Sequence, residues 1–301
     1  YKNLAQRIRH QKPLVKMLDL IKNLPQRQWP VPGFDRLAGS LYRAGFWVFF
    51  TLSAKLFSGA VILAGLAAFI YLVGQGHYSV LKSSGSVVLG VIVLVLLNYL
   101  AVITHEMSHA LACKHYKRQV NSGGTILYLG FPAFYVDTTD AWLLPKSQRL
   151  FISLVGPYTQ AFLAGAASLL AALMPGFFLN PLLYKFAFLS FVSVFVNFNP
   201  SLELDGYYML VDWLDLPGLK TKAAQFIKQD LKAKLKAKEP FTREEKIYAG
   251  VKLWSYAWSA FALLLAYTCD LRLLLAAGIL CFIAFVAART GTWSGMYWLY
   301  F

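Results

Sequence analysis

Residues 105–109 of this sequence, HEMSH, combine two metal-ligand side chains with an acid–base group. Residues four positions apart in an α-helix lie on one face, about 6 Å apart along the axis, so the imidazoles of His105 and His109 can reach one ion. Glu106 lies one position round the helix, where it can take a proton from a water bound to that ion. The spacing therefore predicts a hydrolytic metal site that holds a single Zn²⁺.

The location of the motif strengthens this interpretation. A pattern with so few required positions recurs by chance, and the alternative is a polar cap at the end of a helix. Here, however, the motif closes the apolar run at 86–104. Ionisable side chains at membrane depth are costly and mark functional sites. We therefore interpret His105 and His109 as metal ligands and Glu106 as the catalytic base.

Two residues compete for the third ligand position. His115 follows His109 by six residues, but a continuing helix would turn it about 240° away, onto another face. Asp205 follows the fourth apolar run on the same side as HEMSH, where Pro200 and Gly206 are expected to break the helix. Two histidines and a carboxylate are a ligand set of catalytic zinc sites, which keep one position open for water. We predict Asp205 as the third ligand.

Positioning these residues requires a membrane-embedded fold. Fifty-eight per cent of the residues are hydrophobic, whereas soluble proteins are nearer to half. Spanning a bilayer core takes about 20 apolar residues. Runs near this length occur at 56–73, 86–104, 150–174, 177–198, 248–268 and 273–288. They predict an all-α polytopic membrane protein with about six transmembrane helices and a small membrane-surface β segment between the second and third.

The charge distribution indicates topology and partners. A net charge of +15, from 29 Lys and Arg against 14 Asp and Glu, could suggest nucleic acid. The basic residues, however, lie in blocks between the apolar runs, and basic and non-basic loops alternate, as the positive-inside rule requires. This predicts a multi-pass protein of the bacterial inner (cytoplasmic) membrane, with the lipid bilayer rather than nucleic acid as its partner. The basic N-terminal segment, 1–45, is predicted to be cytoplasmic.

Two connecting segments have patterns of their own. Residues 122–137 are rich in β-branched and aromatic residues punctuated by glycines, which predicts short strands at the membrane surface. From Gly124 to position 135, this segment could pair with an extended substrate by edge addition. Residues 219–238 place apolar side chains at helical spacing against a lysine-rich face, which predicts an amphipathic cytoplasmic helix on the anionic leaflet.

Several polar residues near these elements have two interpretations. Asn197 and Asn199 could hold the substrate backbone or the developing oxyanion. A bond to a neighbouring helix explains Asn197 equally well, and helix termination before the following proline is the first interpretation of Asn199. Asp137 and Asp140 are expected to be turn and cap residues. Lys185, inside the fourth run, is expected to extend its amine to the interface.

The motifs resemble those of the site-2 proteases, the intramembrane zinc metallopeptidases. HEMSH ends one predicted transmembrane helix, and FNPSLELDG at 198–206 follows another. More narrowly, YVDTTDAW at 135–142, the Gly156-Pro157 pair and LDGYYMLVDWLDLPGL at 204–219 are similar to bacterial proteins described as peptide zinc metalloproteases. The resemblance implies a zinc endopeptidase that acts on a membrane-associated or transmembrane protein or peptide near the cytoplasmic face. It also implies a secretion or membrane-fusion-type partner.

Carried over position by position, the resemblance makes His105, His109 and Asp205 the ligands and Glu106 the base. It covers residues 85–220, the core of a transmembrane metalloprotease domain predicted at 46–301.

The sequence also departs from the family's pattern. Leu202 stands where the family has a proline, and Gln160 replaces an asparagine that often follows the Gly-Pro pair. Both positions lie outside the predicted ligands, so they bear on substrate geometry more than on hydrolysis. Gly156 and Pro157 themselves are expected to serve close helix packing and a kink.

A second hypothesis is a non-proteolytic membrane component of a secretion or export assembly that keeps a metal for structure. Glu106 speaks against it, because a structural zinc needs no base and is usually closed by four protein ligands. A metal-ion transporter would place polar residues along several spans, whereas here they cluster at one end. The enzyme is therefore the leading hypothesis.

Overall fold

The computed structural model describes residues 28–128, 131–199 and 202–268, which are mostly helical. In chain order the elements are β1 (Gln28–Pro30), α1 (Phe34–Arg43), α2 (Leu52–Gln75), α3 (Val87–His115), β2 (Gly123–Tyr128), β3 (Phe131–Val136), α4 (Lys146–Leu173), α5 (Asn180–Asn197), α6 (Asp205–Leu214), α7 (Leu219–Gln225), α8 (Leu231–Ala237) and α9 (Arg243–Thr268). Short 3₁₀ turns cover Phe46–Phe50 and Thr139–Leu143, and a π-helical turn, Phe226–Asp230, joins α7 to α8.

Among the described residues, four helices, α2 to α5, are long and apolar enough to cross a membrane. They coincide with the first four predicted runs and confirm that part of the prediction. The fifth run, 248–268, lies within α9. The sixth, 273–288, lies outside the described residues. The structure therefore shows four candidate spans, and a six-span protein stays a prediction.

The outer faces of α2 and α3 carry large apolar side chains. Leu63 on α2 is 73% exposed and Val88 on α3 is 72% exposed. An apolar surface of this kind in a soluble protein would mark an interaction site or an aggregation hazard. Acyl chains of a bilayer would cover it without cost, because they are as apolar as leucine.

Helix α4 is central and packs against α2, α3, α5 and α6. Small residues allow its close approach to α2: a Cβ added to Gly65 would lie within 3.0 Å of the Gly165 backbone. Association through small residues is typical of helices in lipid, where no hydrophobic force drives them together. Helix α4 also packs against α3, the helix that carries HEMSH.

The predicted surface strands form an antiparallel sheet of order β1-β2-β3. β2 and β3 pair along their whole lengths, starting with Gly123 opposite Val136, which confirms strands within 122–137. The third strand, β1, comes from residues 28–30 of the segment that the sequence characterises only by its charge. β2 is therefore central. Within the described chain, no strand pairs with the outer edge of β3.

The basic segment at 219–238 is helical over α7 and α8, but its apolar stripe packs against protein. Leu219, Ala223 and Phe226 are buried in a cluster with Tyr248 of α9. Contact with the leaflet, which the sequence predicts for this stripe, is therefore replaced over α7 by contact with α9.

Lys185 in α5 is completely buried, and its amine ends among backbone carbonyl groups of the loop between α2 and α3. Its Nζ donates to the carbonyl oxygens of Ser79 (2.6 Å), Val80 (2.5 Å) and Lys82 (2.8 Å). An ammonium group has three donors, so all of them are used. The side chain thus ties the loop between α2 and α3 to α5.

Lys185→Met should remove these three bonds while keeping most of the side-chain volume. Because hydrogen bonds to charged groups are worth about 1.5–3 kcal/mol each, we expect the melting temperature in detergent to fall by on the order of 5–10 °C. Lys55→Met is the matched control, since Lys55 Nζ lies over the Phe151 ring, 4.6 Å from its centroid. An equal loss of stability in both variants would contradict the role given to Lys185.

Candidate metal centre

His105 and His109 project from one face of α3, as their spacing predicts, and are 7% and 6% exposed. The side chain of Ser86 caps the start of α3 by accepting from the Leu89 N–H, and the helix continues through the motif to His115. Because the helix is unbroken, the imidazoles lie one turn apart. Their Nε2 atoms are 3.1 Å from each other.

Asp205 reaches the two histidines from the first residue of α6. Leu204 is extended (φ −110°, ψ −178°), and the helix begins immediately after it. Gly206 packs against the backbone of Asn197 and Phe198, where a Cβ would lie within 3.0 Å. Gly206 therefore lies inside α6 and allows its close approach to the end of α5, whereas the sequence predicts a helix break there.

The three side chains form a group that could hold a metal ion. Asp205 Oδ2 is 2.8 Å from His105 Nε2, and Asp205 Oδ1 is 3.4 Å from His109 Nε2. Tetrahedral zinc with bonds of about 2.0–2.1 Å places its ligand atoms about 3.3 Å apart, close to these separations. Two imidazoles and one carboxylate also suit zinc chemically. The residues present therefore fit this ion.

Neighbouring groups orient the side chain of His109 and favour the ionised form of Asp205. His109 Nδ1 donates to the carbonyl oxygen of Ile152 at 2.7 Å, which orients the ring and leaves Nε2 available for coordination. His105 Nδ1 is buried without a hydrogen-bond partner among the described residues. Burial alone raises the pKa of the Asp205 carboxyl, but the two imidazoles beside it lower the pKa overall, so the group is ionised at neutral pH.

Helix α4 makes room for this centre at Gly156. A Cβ on Gly156 would lie within 3.0 Å of the Nε2 atoms of both His105 and His109, which are the prospective ligand atoms. The sequence assigns Gly156 and Pro157 to helix packing and a kink. In the structure, Gly156 packs against the two imidazoles of the candidate metal group. A glycine in an apolar helix does not reveal this contact in the sequence.

His115 is remote from the group. Its Nδ1 lies 2.9 Å from the hydroxyl of Tyr42, and its ring stacks on Phe50 with centroids 4.6 Å apart. His115 therefore joins the end of α3 to the N-terminal elements, and Asp205 is the third member of the metal-binding group.

The three residues and Glu106 line one cavity of about 410 Å³. Helices α3 and α6 and strand β3 form much of its wall, with Ala133 and Tyr135 contributed by the strand. The backbone N–H of Val136, also on β3, lies near the carboxylate of Glu106. The predicted base therefore lies between the metal-binding group and the edge of the sheet.

The strand edge at the cavity belongs to β3 and not to the strand of Gly124. Gly124 lies in β2, opposite Pro30 on one side and Tyr135 on the other. A Cβ there would collide with the backbone of Trp29. Because β2 is paired with β1 on one side and with β3 on the other, no further strand can be added beside Gly124. The predicted edge addition fits the outer edge of β3 instead.

Of the two asparagines, Asn197 lines the cavity and Asn199 is not among its lining residues. Asn197 Nδ2 donates to the Ser193 carbonyl at 3.2 Å, and Ser193 Oγ donates to Gln160 Oε1 at 3.1 Å. All three side chains face the cavity. The sequence could have grouped Ser193 with Asn197, one helical turn apart, but the link to Gln160 depends on how α4 packs on α5.

Asp137 is a turn residue of the loop after β3, as predicted, whereas Asp140 joins this loop to the segment that follows α3. Asp137 Oδ1 accepts from the Thr139 N–H at 2.9 Å. Asp140 accepts from the Gln119 N–H at 2.8 Å and from Arg118 at 2.7 Å. The backbone bond from Gln119 is the main cause that lowers the pKa of the Asp140 carboxyl, burial opposes it, and Arg118 lowers the pKa further.

Comparison with known proteins gives one distant relationship. The chain is 26% identical over 127 residues to the Bacillus subtilis (strain 168) protein named "Putative peptide zinc metalloprotease protein YydH". The aligned region covers 42% of this chain and 49% of that protein, so the match spans about half of the relative's length. No family model and no solved structure matches the chain. The relationship is thus to a zinc-metalloprotease-like protein, and membership of the site-2 proteases stays a prediction.

Loss of any one ligand should remove the metal. We expect His105→Ala, His109→Ala and Asp205→Ala each to lower zinc affinity by more than the about 10–100-fold typical of outer-shell changes. His115→Ala should retain zinc, because this residue lies elsewhere. The measurement is metal content of purified protein by mass spectrometry. Full zinc occupancy in Asp205→Ala would refute the assignment.

Gly156→Ala should weaken zinc binding although alanine is the better helix former by about 0.5–1 kcal/mol. The added methyl group would overlap the two imidazoles. Gly165→Ala is the control, because its methyl group would approach the Val61 carbonyl of α2 within 3.0 Å, away from the metal centre. Zinc competition with a chelator should separate the two variants. Equal zinc affinities would count against a role for Gly156 at the centre.

Proposed function

We propose that this chain is a membrane-embedded zinc endopeptidase that hydrolyses peptide bonds of a membrane-associated or transmembrane protein or peptide near the cytoplasmic face. The observation that carries the proposal is the convergence of His105, His109, Asp205 and Glu106 on one cavity next to an unpaired strand edge. A purely structural metal would need neither an open cavity nor a carboxylate beside the ligands. The name of the distant relative agrees with this activity.

The chemistry follows from the donor set and from Glu106. A zinc ion held by His105, His109 and Asp205 would act as a Lewis acid toward the attacking water and the peptide carbonyl. Glu106 takes one proton from that water as its oxygen bonds to the carbonyl carbon. The same carboxyl then gives the proton to the amide nitrogen as the C–N bond breaks. The Val136 N–H lies near this carboxylate and would help to hold it in place for both transfers.

The substrate must present an extended backbone to this site. A transmembrane helix has its carbonyl groups bonded within the helix, so it must unwind before attack. Strand addition to the outer edge of β3 would satisfy the backbone groups of the unwound segment. That edge runs past Glu106, since the Val136 N–H lies near the carboxylate and the same strand lines the cavity. An extended chain held there would therefore pass the metal centre.

The cellular setting is part of the proposal. The four apolar helices support a membrane protein, and the relative is bacterial. We place the chain in the inner membrane with its N-terminus and the metal centre on the cytoplasmic side, as the loop charges predict. A partner of the secretion or membrane-fusion type would deliver the substrate or receive the product.

Glu106→Gln should separate an enzyme from a metal-containing scaffold. The amide is nearly isosteric but cannot accept the proton, so turnover should fall by at least the about 10²–10⁴-fold typical of general acid–base catalysis. Zinc content and melting temperature should stay unchanged, because Glu106 is not a ligand. The measurement is cleavage of candidate membrane substrates, followed by immunoblot in cells lacking the native protein.

His105→Ala provides the comparison. A protease loses activity in both variants, whereas a scaffold of an export assembly tolerates Glu106→Gln and fails only when the metal is lost. If Glu106→Gln matches the wild type in every readout while His105→Ala does not, the scaffold is the correct description.

A further inference from the structure

Glu203 lies beside the metal centre and has no part in the mechanism above. The residue is 5% exposed, and it lines the same cavity as Glu106 and the metal-binding group. Its Oε1 is 3.2 Å from Nζ of Lys220. Its Oε2 is buried and has no hydrogen-bond partner within the described residues. Buried carboxylate oxygens are rarely left without a donor, so this one indicates a missing binding partner.

Glu203 is separated from the predicted ligand Asp205 by one extended residue, Leu204, and this spacing places it near the proposed cleavage site. Because Leu204 is extended, the Cα atoms of Glu203 and Asp205 are separated by about 6.6 Å, twice the rise of about 3.3 Å per extended residue. A substrate held as a strand has the same rise. The backbone of Glu203 therefore lies within about two extended residues of the backbone of Asp205, and both residues line the same cavity. The terminal torsion of glutamate is broad and two-fold, so either oxygen can face the cavity while the other keeps Lys220.

The other acidic side chains of the cavity are engaged. Arg149 Nε donates to Asp212 Oδ1 at 2.9 Å, and Asp137 bonds the Thr139 backbone. Asp205 belongs to the metal-binding group, and Glu106 lies near the Val136 N–H of β3. Among the carboxylates that line the cavity in the described chain, Glu203 is the one with a fully buried oxygen that has no donor. A cationic donor would suit this oxygen.

We propose that Glu203 is a specificity residue that binds a Lys or Arg side chain of the substrate, one or two residues from the cleaved bond. The inference rests on the proposed function. A charge-assisted hydrogen bond to the unpartnered oxygen would complete the coordination of the carboxylate. Basic residues at this position are also what a substrate segment has at the cytoplasmic end of a membrane span.

A structural role predicts something different. If Glu203 serves only to hold Lys220, then Glu203→Gln and Lys220→Met would have the same effect, namely reduced stability without any change in substrate preference. If Glu203 binds substrate, Lys220→Met frees the carboxylate, and the preference for a basic substrate should persist or increase.

The test uses the zinc-loaded full chain in lipid nanodiscs. The probes are fluorescent, N-acetylated apolar peptides of about 20 residues, long enough to span a bilayer, with Lys, norleucine or Glu scanned through the end next to the cavity. Binding is measured in the Glu106→Gln background, which does not require turnover. We expect the Lys peptide to bind about tenfold or more tightly than the norleucine peptide at one or two positions. Glu203→Gln should bring this ratio to about one, and Lys220→Met should not lower it.

Three results would overturn the proposal: no preference for Lys over norleucine in the background protein, an unchanged preference in Glu203→Gln, or equal losses in Glu203→Gln and Lys220→Met. The first of these does not depend on whether the Glu203 variant folds. Wild-type cleavage of the same peptides tests the proposed function separately. Preferential binding without cleavage rejects the peptidase but keeps the recognition site, whereas cleavage without preference rejects only Glu203.

Discussion

The structure depends on bringing two imidazoles and one carboxylate, from parts of the chain about a hundred residues apart, to one point inside an apolar helical bundle. Polar groups in such surroundings are costly unless they bind one another or an ion. His105 and His109 come from one helix and need only its regularity. Asp205 needs the chain to return at the end of α5, and this return relies on the close approach of Gly206 to the α5 backbone.

Helix α4 allows this convergence because it has glycine at two points of close contact. It presents Gly165 to α2 and Gly156 to the imidazoles, and in both places a Cβ would lie within 3.0 Å of the partner. Helices in lipid gain most from such close packing. On α4 this packing serves both the assembly of the bundle and the space for the metal centre. The backbone of α4 also orients a ligand directly, through the Ile152 carbonyl that accepts from His109.

The sheet places a strand edge along the cavity. β1 pairs with one edge of β2, and the outer edge of β3, with which no strand pairs in the described chain, lies beside Glu106. A base close to the strand that would hold the substrate would lie near the peptide bond as well as near the metal. Glu203 lies on an extended segment next to Asp205. Its Oε2 is buried and has no hydrogen-bond partner in the described chain. In the proposed enzyme, chemistry and selectivity would be carried by different carboxylates of one cavity.

The sequence by itself determined the local features: the helical face of His105 and His109, the place of Glu106 beside them, four apolar helices and the surface strands. Each of these depends on spacing within a few turns or on composition. It also indicated Asp205, because zinc chemistry leaves few candidates for a third ligand. Only the tertiary structure decided that β1 completes the sheet, that Gly124 lies in its centre and that Gly156 faces the imidazoles. Each of these is a contact between residues distant in the chain, where distances of a few ångströms decide the outcome and no local pattern encodes them.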